Sequence, residues 1–210
     1  MKAVVVAAGG QVDQLISSYL KEADLLVAAD GGAAPLLDLG YVPQAVIGDF
    51  DSLPPAAVSY LSQIGCELVR VKREKDETDT ELSLRHVLAR GANNITLLGA
   101  LGGRIDHTLA NLILLAALAK KGILARAVTP PLTVYAVTET IVVQGTKGDL
   151  VSVFPFQGPA VGVTEIGFKY PLTDAYLDPF AVVGISNELA GSEGTIKVKQ
   201  GVILVFHYSK

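Results

Sequence analysis

The chain has 210 residues, half of them apolar and 18% charged, with a net charge of −4. That composition supplies a packed core and excludes a disordered chain, while the acidic balance excludes the basic footprint that nucleic-acid binding needs. A single cysteine, Cys66, excludes an intrachain disulfide, and no Cys/His cluster has the spacing of a zinc site.

In chain order, the first elements alternate. Apolar strand patterns fall at residues 3–8, 25–29, 45–47, 67–71, 95–98 and 124–128. Helical patterns fall between them, at 11–20, 33–39, 55–64, 78–90 and 108–120. Strand–helix alternation predicts a parallel sheet covered by helices. The strands read as continuous apolar runs, which suits burial on both faces. After Thr129-Pro130-Pro131 the helices stop. Short strands are expected at 133–137, 140–143, 150–154, 161–165, 181–185, 195–199 and 202–207. This part reads as an antiparallel sandwich or barrel, of which the sandwich is the expected form. The expected division is therefore an α/β domain over 1–129 and a β-sandwich over 130–210.

The opening MKAVVVAAGG has too short an apolar stretch for a signal peptide. The longest apolar run, 109–119, is about half the roughly 20 residues of a membrane span. Together with the lone cysteine this leads to an expected cytoplasmic location, with no membrane partner. The mean hydropathy of +0.43 predicts a large core and apolar surface buried in an oligomer.

In an open parallel sheet, ligands bind beyond the carboxyl ends of the strands. Four of those ends carry Asp: Asp30-Gly31-Gly32, Gly48-Asp49-Phe50-Asp51-Ser52, the 72–79 segment with Asp76 and Asp79, and Gly99 to His107 with Gly102-Gly103-Arg104-Ile105-Asp106. Asp49 and Asp51 stand two apart, so an extended backbone points both carboxylates the same way. Converging carboxylates suit a magnesium ion, which takes oxygen ligands together with phosphate; a solvated turn capping the next helix is the plain alternative. Asp79 is expected as a third ligand, within a segment whose Thr78 and Glu81 also fit a capping box. Gly102-Gly103-Arg104 precedes a helix, where free N–H groups and a guanidinium fork suit phosphate. No Walker A loop and no G-x-G-x-x-G is present. In the C-terminal part, Ser186 and Asn187 carry groups that could hydrogen-bond a heterocycle, or simply form a turn.

Taken together, these segments, with Phe168-Lys169-Tyr170-Pro171-Leu172 and Gly184-Ile185-Ser186-Asn187-Glu188, resemble the thiamine pyrophosphokinase family in its bacterial form. The resemblance implies a nucleotide-binding α/β domain, a thiamine-binding β-sandwich and a homodimer with its active site at the subunit interface. It implies magnesium on Asp49, Asp51 and Asp79. It implies ATP held by Asp30, Gly31, Gly102, Gly103, Arg104 and Asp106, with Arg104 also catalytic, and thiamine facing Ser186 and Asn187. The chain has no Trp, so another residue must stack on thiamine. A pyrophosphokinase for a pterin alcohol and a non-catalytic module that senses a nucleotide or thiamine are the alternatives.

Overall fold

The computed structural model describes residues 1–10 and 12–210; Gln11, expected to open the first helix, lies outside the described residues. Internal contacts divide the chain into two compact units, Met1–Leu114 with Ala127–Thr129, and Leu115–Arg126 with Pro130–Lys210.

Five parallel strands organise the first unit: β1 (Lys2–Val6), β2 (Leu25–Ala29), β3 (Ala45–Gly48), β4 (Glu67–Arg70) and β5 (Asn94–Leu98). Every residue of β2 and β3 is buried, as their unbroken apolar sequences require. The spatial order is β5-β1-β2-β3-β4. Val4 lies opposite Leu26 on one side and Thr96 on the other; Val46 lies between Ala28 and Leu68. The chain thus winds outward from β1 to β4, then returns to place β5 beside β1. That reversal opens a crevice at the carboxyl ends of β1 and β5.

Helices α1 (Ser17–Lys21), α2 (Ala33–Asp38), α3 (Pro55–Gln63), α4 (Asp79–Ala89) and α5 (Ile105–Lys120) supply the connections. Pro55 opens α3, where its missing N–H has no partner to lose. Thr78 caps α4 by accepting the Glu81 N–H at 3.1 Å. The reciprocal half of the expected capping box is absent, because the Glu81 carboxylate accepts from Arg85 at 2.8 Å instead. The start of α5 lies three residues before the expected one: Thr108 N–H donates to Arg104 O at 3.1 Å and closes a turn that begins in the glycine segment. Leu36, Val46, Leu61 and Leu98 centre the core of this unit.

The second unit contains β7 (Leu132–Val137), β8 (Thr140–Gln144), β9 (Leu150–Pro155), β10 (Ala160–Ile166), β11 (Ala175–Leu177), β12 (Asn187–Glu188), β13 (Glu193–Lys197) and β14 (Ile203–Tyr208). The preceding strand, β6 (Leu124–Thr129), has residues in both units. Antiparallel pairing runs β12-β9-β14-β7 in one layer and β11-β10-β13-β8 in the other. Val153, Ile203 and Val205 of the first layer share a buried core with Val143, Val163 and Ile196 of the second. This is the sandwich the sequence predicts.

One expected strand, at 181–185, does not form. Asp178 turns the chain there by accepting the Phe180 N–H at 2.8 Å. Gly184 and Ser186 then take left-handed φ of 89° and 57°, which interrupts any extended run. The apolar residues that suggested a strand stay exposed: Phe180 is 97% and Val182 73% accessible. The strands actually formed nearby are β11 and β12.

The β8–β9 connection is fixed by one buried carboxylate. Asp149 accepts from Thr146 N–H at 3.0 Å, Thr146 Oγ1–H at 2.7 Å and Lys210 N–H at 3.2 Å, and lies 2.9 Å from His207 Nε2. Burial alone would push this carboxyl up, but those partners outweigh it and hold it well below the usual carboxylate range. A carboxyl with a depressed folded pKa contributes stability above its unfolded value of about 3.9, lost as pH falls toward the folded value. Asp149→Ala should therefore destabilise the fold by about 3 kcal/mol at pH 7. In urea unfolding, the gap to the native chain should close progressively below about pH 4.

Candidate active site

The turns that leave the five parallel strands converge at the crevice. After β1, Ala7 N–H donates to Leu98 O and Gly9 N–H to Gly99 O, both at 2.8 Å, so the β1 and β5 turns are bound backbone to backbone. Gly103, at φ 57°, sits where an added Cβ would lie 2.5 Å from Gly9 O. Only glycine permits that approach.

Asp30 follows β2 directly and is buried in the left-handed region, at φ 43°. Its Oδ1 accepts the Phe50 N–H at 2.9 Å, which ties the β2 turn to the β3 turn. Phe50 is itself at φ 65° with its ring buried beneath the Arg70 guanidinium, 4.7 Å from the ring centroid. Arg70 also donates to Asp49 O at 3.0 Å. Two non-glycine residues with positive φ, held by surrounding contacts, are the kind of strain found at functional sites.

The anchored Phe50 leaves Asp49 and Asp51 flanking Asp30. Asp30, Asp49 and Asp51 each offer a carboxylate oxygen, and these lie within 4.8 Å of one another. Three like charges at that range repel unless a cation lies among them. Asp51 also accepts from Ser52 Oγ–H at 3.1 Å and has Arg73 at 3.5 Å. Asp79, at the start of α4, stands outside this trio. Its Oδ1 is buried and 3.0 Å from Lys75 Nζ, close enough for an ion pair but not aligned as a hydrogen bond. That oxygen already faces one cation, the Lys75 ammonium, which a metal ion would join or displace.

Asp30 and Asp79 line one cavity of about 400 Å³ with Gly9, Ser52, Gly103 and Arg104. Its lining combines the carboxylates of Asp30 and Asp79 with residues at the N-terminus of α5. The exposed Arg104 fork is paired with Asp106, with Nε 3.2 Å from Oδ1. That guanidinium pulls the Asp106 carboxyl down to about 2. Both side chains are exposed, so the pair can open in favour of a phosphate group. The cavity is suited to a polyphosphate bridged by a cation: acidic ligands, backbone N–H groups and one exposed guanidinium.

The expected residues Asp30, Gly31, Asp79, Gly103 and Arg104 all line this cavity. Asp49 and Asp51 adjoin it through Asp30, and Asp106 through Arg104. Gly102 N–H is taken by Thr108 Oγ1 at 3.1 Å. Ser186 and Asn187 belong to the second unit, Ser186 exposed and Asn187 buried. Sequence reading passed over Gly9, Ser52, Thr80 and Asn111. Ala7-Ala8-Gly9-Gly10 carried a signal, since it is a glycine turn at a strand end like the others. Asn111 carried none; its side chain donates to Ala100 O at 2.8 Å from within α5.

Gly48 meets the same crowding as Gly103: an added Cβ would lie 2.6 Å from Asp30 Cβ. Gly48→Ala should push Asp30 off the Phe50 N–H, lowering stability by about 2 kcal/mol in thermal unfolding.

A family model described as the thiamin pyrophosphokinase catalytic domain matches residues 16–126, and one described as the thiamin pyrophosphokinase vitamin B1 binding domain matches 138–203. Over 209 residues the chain is 30% identical to thiamine pyrophosphokinase of Bacillus subtilis strain 168, covering 98% of each. The crystal structure of thiamine pyrophosphokinase from Bacillus subtilis superposes with a TM-score of 0.89 at 27% identity, over all of both chains. That from Geobacillus thermodenitrificans superposes at 0.86 with 30% identity, over 100% of this chain and 98% of the other. Both family domains match in order, and the likeness to these relatives runs from end to end. The chain belongs to the thiamin pyrophosphokinase family.

Proposed function

We infer that the chain is a thiamine pyrophosphokinase, transferring pyrophosphate from ATP to the hydroxyl of thiamine to give thiamine diphosphate and AMP. The observation that carries this reading is one cavity bordered by Asp30, Asp79 and the Gly103-Arg104 start of α5, within a chain that matches both family domains.

In this reading the thiamine hydroxyl oxygen attacks the β-phosphorus of ATP. The bond from that phosphorus to the α-phosphate oxygen breaks, AMP leaves, and the hydroxyl proton is lost. Asp49 and Asp51 would hold magnesium together with Asp30, whose oxygen converges on theirs, and Asp79 would join them from the same cavity. The ion supplies charge compensation for the phosphate oxygens. The Gly103 backbone N–H and the Arg104 fork hold phosphate in line, with Gly31 beside the nucleotide and Asp106 releasing Arg104 to it; Gly102, its N–H bonded to Thr108 Oγ1, shapes the turn. Positioning and preorganised charge account for most of the acceleration in such transfers.

The region 1–129 is assigned the nucleotide and the metal, and 130–210 thiamine, with the exposed Ser186 facing it and the buried Asn187 in the same segment behind it. A homodimer with its active site at the subunit interface is part of the same reading. Two apolar surfaces support the dimer. Ile105 and Leu109 on α5, 83% and 51% exposed, lie one turn apart with Ile113; Phe180, Val182 and Ile185 are exposed on the second unit. Exposed apolar surface of this kind marks association. Among the described residues no helix is long and apolar enough to cross a membrane; we assign the chain to the cytoplasm.

AMP formation from ATP and magnesium should require thiamine, with the product heavier by one pyrophosphoryl group. ADP as product would refute this chemistry, and turnover only with a pterin alcohol would change the acceptor. Asp51→Asn and Asp79→Asn should each lower kcat by about a hundredfold or more with the thermal midpoint unchanged. Sedimentation should give a dimer, and Leu109→Glu should shift it toward monomer; a native monomer would remove the shared active site.

A further inference from the structure

Glu165, in β10, is a buried acid for which the transfer chemistry has no use. It is 2% exposed. Its Oε2 accepts from Asn187 Nδ2 at 2.7 Å, and its Oε1 has no hydrogen-bond partner among the described residues. Burial pushes the carboxyl above its ordinary value, with the Asn187 donation opposing. A neutral carboxyl still accepts from the amide and leaves no bare charge in the core.

Asn187 is the partner that gives this contact meaning. Its Nδ2 also donates to Tyr170 O at 2.9 Å, and its Oδ1 accepts from Tyr170 N–H at 3.0 Å and Glu188 N–H at 2.9 Å. A carboxamide has two donor hydrogens and two acceptor lone pairs. All four are occupied. The Asn187 side chain therefore has no capacity left for a ligand; it works as a clip between β12 and the 168–172 arch. The reversed amide would set its NH2 against two N–H donors, so the network fixes its orientation. The same arch is held at Lys169, whose N–H donates to Glu188 O at 2.9 Å, and at Leu172, whose O accepts from Glu165 N–H at 3.0 Å. Ser186, immediately before the clip, is exposed at φ 57° with its N–H on Ser152 Oγ at 3.0 Å.

We propose that Glu165 is a positioning residue for the thiamine acceptor, acting through the Asn187 carboxamide to set the backbone of Ser186 and Tyr170. The proposal rests on the reading of Ser186 and Asn187 as the thiamine-facing segment. A residue that merely fills the core would be replaced as well by Leu as by Gln. A positioning residue would not, because only Gln retains an acceptor for Asn187.

The test measures kcat, the KM for thiamine and the KM for ATP in the native enzyme, Glu165→Gln and Glu165→Leu. Glu165→Gln should keep all three within about twofold, and Glu165→Leu should raise the thiamine KM about tenfold while kcat and the ATP KM stay within about twofold. An unchanged thiamine KM in Glu165→Leu overturns the proposal alone, as does an equal loss in both variants. Absence of thiamine-dependent AMP from the native enzyme overturns it together with the activity it rests on. Hydrogen exchange on the native enzyme decides the matter if Glu165→Leu does not fold. Thiamine should slow exchange of the Tyr170 and Glu188 amides about fivefold or more; unchanged exchange overturns the proposal.

Discussion

The hydrogen bond from Phe50 N–H to Asp30 Oδ1 couples two turns that leave neighbouring strands, and the acidic site depends on it. Asp30 uses one oxygen to hold the β3 turn. That turn in turn holds Asp49 and Asp51 where their oxygens approach those of Asp30. Neither Asp30 nor Phe50 is in a relaxed backbone conformation. The buried Phe50 ring and the Arg70 contacts oppose that strain. Without them, three carboxylates would separate into solvent rather than converge. The fold thus holds in advance the electrostatic arrangement that a bound cation would stabilise.

The glycine turns that line the same cavity obey a different constraint. The β1 and β5 turns lie against each other through backbone atoms, which is possible because glycine stands at the points of closest approach. The α5 N-terminus is thereby brought to the crevice where the strand order reverses. Acidic ligands and a helix N-terminus facing one cavity would conflict if both had to bind the same charge. They would cooperate around a polyphosphate, whose oxygens would take the helix and whose cation would take the carboxylates.

The second unit solves its problems with buried polar clips. Asp149 gathers four groups around the β8–β9 connection, and Asn187 fills its hydrogen-bonding capacity between β12 and the 168–172 arch. Fully partnered, such groups specify one arrangement of loops that the apolar core of a sandwich leaves open. In this unit β12 is a two-residue strand, too short to be held by sheet pairing alone.

The alternation of apolar runs with helical periods was enough to read the parallel sheet, because strands buried on both faces admit few polar residues. The Asp-bearing turns were legible for a similar reason: a ligand site beyond strand ends needs its chemistry at fixed points in the repeat. Other features lay beyond sequence pattern. The apolar run at 181–185 has strand composition but no partner to pack on, and composition does not record partners. Asp30 joins Asp49 and Asp51, 19 and 21 positions further along the chain, only because β2 and β3 are adjacent. Asn187 resembled a ligand-binding amide until Glu165 and Tyr170, distant in sequence, joined the adjacent Glu188 N–H in filling its four hydrogen-bonding positions. By itself, then, the sequence determined the layer types, the strand-end turns and the residue chemistry available there, all of which follow from local period and side-chain type. Tertiary structure alone decided which carboxylates converge, which amide is already occupied and which apolar residues stay exposed, because those depend on distances between segments that no local pattern encodes.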